Sequence, residues 1–319
     1  MRARIATALA ALAFTAPPIA GTAQAYVRAI NEAGAPYYWP SSCANVTIYL
    51  NGFTMMTPDE IAKSIAAAAH AWSPSEVTCP GPSGDGGGTH PYFEIIPALS
   101  SGGPVPEVGY DGKNSIIFQT ATWDAGAEVI AATSHFSTPD GAIVDTDIQI
   151  NAVVGSAWAN LDPGSIVSGH IDAVDLQTAM THEFGHFLGL AHTCVNVGVD
   201  PAAAPTDDQG APVPECPTDP VCPPPGDVPQ AQSDMWFFVC PNSIAKRVLS
   251  PDDIRAVCDL YPAVRDPHVC TPNLPDDGCG CQTGRGTSAG GVGLMALAVA
   301  TALARRRRLR SDRDRRAAL

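Results

Sequence analysis

The chain has 319 residues, 32 of them acidic against 18 basic, for a formal net charge of −14. An acid excess of this size excludes the electrostatic grip on phosphate that nucleic-acid binding requires, and it disfavours anionic lipid surfaces. Hydrophobic residues make up 45% of a chain long enough for one large domain or two small ones with a sizeable core.

Residues 1–25 read as an export signal: Arg2 and Arg4, an apolar run, then Ala23-Gln24-Ala25 in the small-x-small pattern of signal peptidase. Residues 45–50 (NVTIYL) are β-rich and predict a first strand. Asn45-Val46-Thr47 there is formally a glycosylation sequon, expected to be idle. Thr57-Pro58-Asp59-Glu60 opens a helix with a capping box and a proline in its first turn, and Pro74 closes it. Residues 79–90 read as a loop, and 92–96, 115–119 and 131–136 as further strands. Residues 141–151 alternate, predicting a dry face of Val144, Thr146, Ile148 and Ile150 and a wet face of Asp145, Asp147 and Gln149. The wet face could meet an extended peptide by strand addition.

A helix is expected from about Asp172, as N-cap with Asp175 at its third position, to Leu188. Residues 193–233 are proline-rich, carry three cysteines and read as a cross-linked surface insertion. Leu249-Ser250-Pro251-Asp252-Asp253-Ile254 opens a last helix that ends at Tyr261-Pro262. The main domain thus occupies residues 26–265, and residues 266–291 form a linker containing Cys279-Gly280-Cys281. Residues 292–319 hold an apolar stretch and Arg305-Arg306-Arg307-Arg308, the pattern of a hydrophobic sorting or anchoring tail that associates with a membrane transiently or permanently.

Without the two ends, seven basic residues face 30 acidic ones, a net charge near −23. Such a surface is compatible with calcium, which takes hard oxygen ligands. Ten cysteines in an exported chain imply disulfides; setting aside Cys279 and Cys281 leaves eight, enough for four bridges whose pairing the sequence leaves open.

The chemistry lies in His182-Glu183-Phe184-Gly185-His186-Phe187-Leu188-Gly189-Leu190-Ala191-His192. His182 and His186 are four apart, so a helix projects both from one face. Gly189 can take the left-handed conformation that ends the helix and returns His192. Three ligands leave a tetrahedral position open for water, the arrangement of a catalytic zinc, and Glu183 stands beside the first ligand without being one.

This eleven-residue motif resembles the metzincin clan of metallopeptidases, and Thr193 after the third histidine resembles its matrixin branch, as does the last helix. The resemblance implies an α+β, zincin-like fold: a twisted mixed sheet of about five strands, two long helices and a small irregular C-terminal subdomain ending in a helix. It implies an exported zinc endopeptidase acting on proteins or peptides, with His182, His186 and His192 as metal ligands and Glu183 as general base. A methionine turn beneath the zinc is also implied, and Met235 is the candidate for it. The 42 residues between His192 and Met235 exceed the usual matrixin spacing. A pappalysin-like or astacin-like branch is the alternative within the clan, although Phe237 stands where astacins place an extra tyrosine ligand. The alternative outside it is a surface binding protein with a structural zinc. His135 and His170 could help to hold a second metal, but their surroundings do not match the family's pattern. The tail resembles the C-terminal sorting signals of myxobacterial surface proteins.

Overall fold

A computed structural model describes residues 26–81, 88–126, 129–153, 157–161, 173–196, 205–224, 226 and 228–270. The signal, His170, Asp172, Cys279, Cys281 and the tail lie outside them, and no described helix is long and apolar enough to cross a membrane.

In chain order the elements are β1 (Val27–Arg28), β2 (Cys43–Tyr49), α1 (Pro58–Ala71), β3 (Glu94–Leu99), β4 (Ser115–Gln119), β5 (Ala131–Ser137) and β6 (Ile143–Asn151). There follow β7 (Ala157–Ala159), β8 (Ala173–Asp175), α2 (Leu176–Phe187), β9 (Leu190–Ala191) and α3 (Pro251–Leu260). Five strands form one mixed sheet in the order β3-β2-β4-β6-β5, parallel throughout except for β5, which runs antiparallel to β6. Two short pairs lie outside it: β1 antiparallel to β9, and β7 parallel to β8.

Local chemistry explains where the helices start. At α1, the Thr57 hydroxyl accepts from the Glu60 amide while the Glu60 carboxylate accepts from the Thr57 amide, the reciprocal box the sequence predicts. At α3, Ser250 and Asp253 do the same. Between the sheet and the helices lies one core. It takes Ile61, Ile65 and Ala68 from α1, Met180, Phe184 and Phe187 from α2, and Val46, Ile48, Ile116, Phe118, Ile148 and Ile150 from the sheet. Each large aliphatic or aromatic side chain removed from water contributes about 1.5–3 kcal/mol.

Two expectations are corrected here. β6 is an interior strand whose polar face is not the wet one: Asp145 and Asp147 are buried at 0% and 1% exposure, while Val144 is the exposed member at 40%. The loop over residues 109–112 covers the polar face. Its Gly109 amide donates to Asp147, and its Asp111 and Gly112 amides donate to Asp145. Alternating polarity therefore marks carboxylates bonded to backbone, and strand addition to β6 has no free edge to use. Burial pushes Asp147 up to about 6 despite the Gly109 amide. The second correction concerns α2: Asp175 is its N-cap, accepting from the Thr178 amide, so the helix begins at Leu176.

Four disulfides join Cys43–Cys270, Cys79–Cys258, Cys194–Cys216 and Cys222–Cys240. They use all eight of the expected cysteines. Asn45 lies in β2 between β3 and β4, with its amide nitrogen buried, so the sequon presents no acceptor to solvent.

Candidate metal centre

α2 buries nearly all of its side chains and carries His182, Glu183 and His186 along one stretch of helix. The last carbonyls of a helix lack partners within it. Here the Trp39 indole donates to the Phe187 carbonyl at 2.8 Å and the Tyr261 hydroxyl to the Leu188 carbonyl at 2.7 Å. Gly189 then takes φ +95°, and a Cβ there would stand 2.8 Å from the Tyr37 carbonyl oxygen. The chain turns into β9, whose pairing with β1 holds the segment that delivers His192.

The three imidazoles converge through their Nε2 atoms. His192 Nε2 lies 3.2 Å from that of His182 and 3.1 Å from that of His186. The Nδ1 atoms of His182 and His186 face the carbonyls of Asp234 and Leu190, at 2.5 Å and 2.8 Å. A carbonyl only accepts, so each of these Nδ1 atoms carries the proton and each Nε2 presents a lone pair. A cation placed where the three Nε2 atoms meet would be held by these lone pairs. Ligands about 2.0–2.1 Å from a tetrahedral zinc stand roughly 3.4 Å apart, close to the separations seen. Burial holds His182 well below its ordinary pKa and pushes His192 down to about 3, with neighbouring His186 adding to both, so the neutral, ligating form prevails. The donor set therefore fits a zinc ion. Among the described residues, no other group of three His, Cys, Asp or Glu side chains converges in this way. The acidic surface thus supplies no side-chain cluster for calcium there.

No protein-family model matches the chain. No curated protein matches it either. Among solved structures, one described as the structure of myroilysin is similar at 15% identity, covering 70% of this chain and 95% of that chain with a TM-score of 0.30. A likeness this slight assigns neither fold nor function, and the site rests on its own residues.

Met235, 1% exposed, seats its side chain against Gly185 of α2, in a turn built by its neighbours. The Ser233 hydroxyl accepts from the Met235 amide, and the Met235 carbonyl accepts from the Thr193 amide just past His192. Asp253 of α3 fixes the turn from below, accepting from the Ser233 hydroxyl, the Asp234 amide, and the amide and hydroxyl of Ser250. One carboxylate thus ties the start of the last helix to the turn whose Asp234 carbonyl orients His182. Burial and the adjacent Asp253 carboxylate push Asp234 well above the usual range. Burial draws Lys246 down to about 8 although both acids favour its charge.

The long insertion packs onto this region through a second small core of Cys194, Cys216, Ala231 and Trp236, flanked by Phe237 and Phe238. Trp236 is committed to that core.

Glu183 is buried at 5% exposure, and its Oε2 accepts a hydrogen bond of 2.6 Å from the Thr133 hydroxyl on β5. Burial raises its pKa, opposed by His186 and by Thr133. Two residues along β5, His135 Nε2 bonds the His186 carbonyl at 2.8 Å while its ring stacks on Tyr37 at 4.5 Å. Of the expected second metal, His170 lies outside the described residues, and among those described His135 belongs to no converging group of three potential ligands. Sequence reading singled out the three histidines, which converge, and Gly189, which takes the left-handed turn, along with Glu183 and Met235. It missed Thr133, Gly185 and Asp253, whose contacts are tertiary, although a glycine in the interior of a well-formed helix was a signal available for Gly185.

Proposed function

We propose that this chain is an exported zinc-dependent endopeptidase of the metzincin type, acting on protein or peptide substrates. One observation carries the reading: three imidazoles bring their Nε2 atoms together at one point, beside a buried carboxylate that is not among them. A zinc ion bound there would lower the pKa of its water and polarise a substrate carbonyl. Glu183 takes the proton of the attacking water and hands it to the leaving amine nitrogen. His182, His186 and His192 are the ligands, the first two oriented by the carbonyls of Asp234 and Leu190. Met235 supports the site by packing.

An extended peptide needs a sheet edge, and β5 is one: it pairs only with β6 among the described residues, and it carries Thr133 onto Glu183. Four disulfides fit an exported protein. Support for a matrixin-like branch comes from the capped last helix and its tie to the Met235 turn.

The test is zinc content and cleavage of a mixed peptide library, with wild type and Glu183→Gln in parallel. Equal zinc in both is expected, with turnover in the variant reduced by at least about 100-fold. Full activity in Glu183→Gln would overturn the assignment. Zinc in both with cleavage in neither would instead describe a binding protein that holds its metal for structure.

A further inference from the structure

We infer that Thr133 is a positioning residue for the general base: its hydroxyl holds one oxygen of the Glu183 carboxylate so that the other stays free to accept the proton of the attacking water. The inference rests on the peptidase reading and adds to it a residue outside the zinc motif. Glu183 is 5% exposed, so water cannot orient it, and an unconstrained glutamate samples several rotamers about its terminal bond. The Thr133 Oγ1–Oε2 distance of 2.6 Å is that of a strong hydrogen bond to an ionised acceptor.

The donor is itself fixed. Thr133 is β-branched, which restricts its χ1, and it pairs with Ile148 in the antiparallel β5–β6 ladder. Two residues on, on the same strand face, His135 bonds the His186 carbonyl. The edge strand therefore grips α2 at two points three residues apart, Glu183 and His186, so the carboxylate and the second metal ligand share one external reference. Because β5 is also the free edge of the sheet, a peptide pairing with it would lie in register with the residue that aims the base.

The test uses the full chain as wild type, Thr133→Val, Thr133→Ser, Glu183→Gln and the Thr133→Val/Glu183→Gln double variant, with kcat, KM, zinc content and crystal structures of each. Thr133→Val should lower kcat about tenfold, the scale of one lost hydrogen bond to a charged group, with KM within about twofold and zinc unchanged. Thr133→Ser restores the hydroxyl and should recover most of kcat. In the Glu183→Gln background, Thr133→Val should change nothing further, because its effect passes through the carboxylate. The Glu183 carboxylate should be rotated in Thr133→Val and return to place in Thr133→Ser.

The inference is overturned if Thr133→Val keeps wild-type kcat, if it costs as much in the Glu183→Gln background, or if the carboxylate stays in place without the hydroxyl. Failure of the peptidase reading looks different: Glu183→Gln would be fully active, or wild type would cleave nothing. In that last case the crystal structures still decide whether Thr133 holds the carboxylate.

Discussion

A Cβ built on Gly185 would stand 2.1 Å from the sulfur of Met235 and 3.1 Å from the Trp72 ring. The glycine lies inside α2, where an alanine would otherwise be favoured by about 1 kcal/mol. Its absence of a side chain lets the methionine seat directly under the motif helix. Gly185→Ala should therefore destabilise by about 1–3 kcal/mol, as overpacking does. Adding Met235→Ala should recover part of that loss, since it removes the atom in the way. Urea denaturation of the two single variants and the double variant checks this; a Gly185→Ala protein as stable as wild type would mean that Met235 can move aside. The histidines, Glu183 and Gly189 were legible because a helix converts sequence spacing into geometry. Gly185 and Thr133 owe their roles to atoms 50 residues away in the chain, and no local pattern encodes those.

The ends of the helices show how far local rules reach. The first and last helices start where the sequence places them, and both starts close a capping box, because a Thr or Ser followed three residues later by an acid satisfies its own backbone. Helix α2 does not start where expected. Asp172 and Asp175 are equivalent locally, and what selects Asp175 is remote. Arg247 donates to both of its oxygens, at 2.8 Å and 2.6 Å, and the Leu161 amide adds a third contact. Removing the guanidinium by Arg247→Met would leave a buried carboxylate short of its charge partner, at a cost of about 3–5 kcal/mol. Burial alone would raise the Asp175 pKa, but the hydrogen bonds from Arg247, Leu161 and Thr178 win and hold it below its usual value of 3.8. A depressed carboxylate contributes stability that is complete above its unfolded pKa and is lost as pH falls through the folded one. The wild type should therefore lose more stability than Asp175→Asn between about pH 4 and pH 2. Thermal melts across that range measure it, and parallel acid limbs for the two proteins would refute it. The alternation of β6 failed as a guide for a related reason: Asp145 and Asp147 are satisfied by the amides of a distant loop.

For the whole molecule, the informative relation is between two disulfides that eight cysteines alone could not pair. Cys43–Cys270 encloses Cys79–Cys258, with sequence separations of 227 and 179. While both are intact, each closes only the chain between them, 36 residues on one side and 12 on the other. Loop-closure entropy for about 48 residues corresponds to roughly 4 kcal/mol of stabilisation. Once either bridge is gone, the survivor closes the full separation, about 5 kcal/mol on the same scale. Removing both pairs should thus cost more than the sum of the single removals, by about 1 kcal/mol. Urea denaturation under non-reducing conditions of Cys43→Ala/Cys270→Ala, Cys79→Ala/Cys258→Ala and the fourfold variant reads this excess. Strict additivity would show that the bridges act on separate parts of the molecule. A fourfold cost below the sum would place their effect in the folded state and not in the unfolded chain.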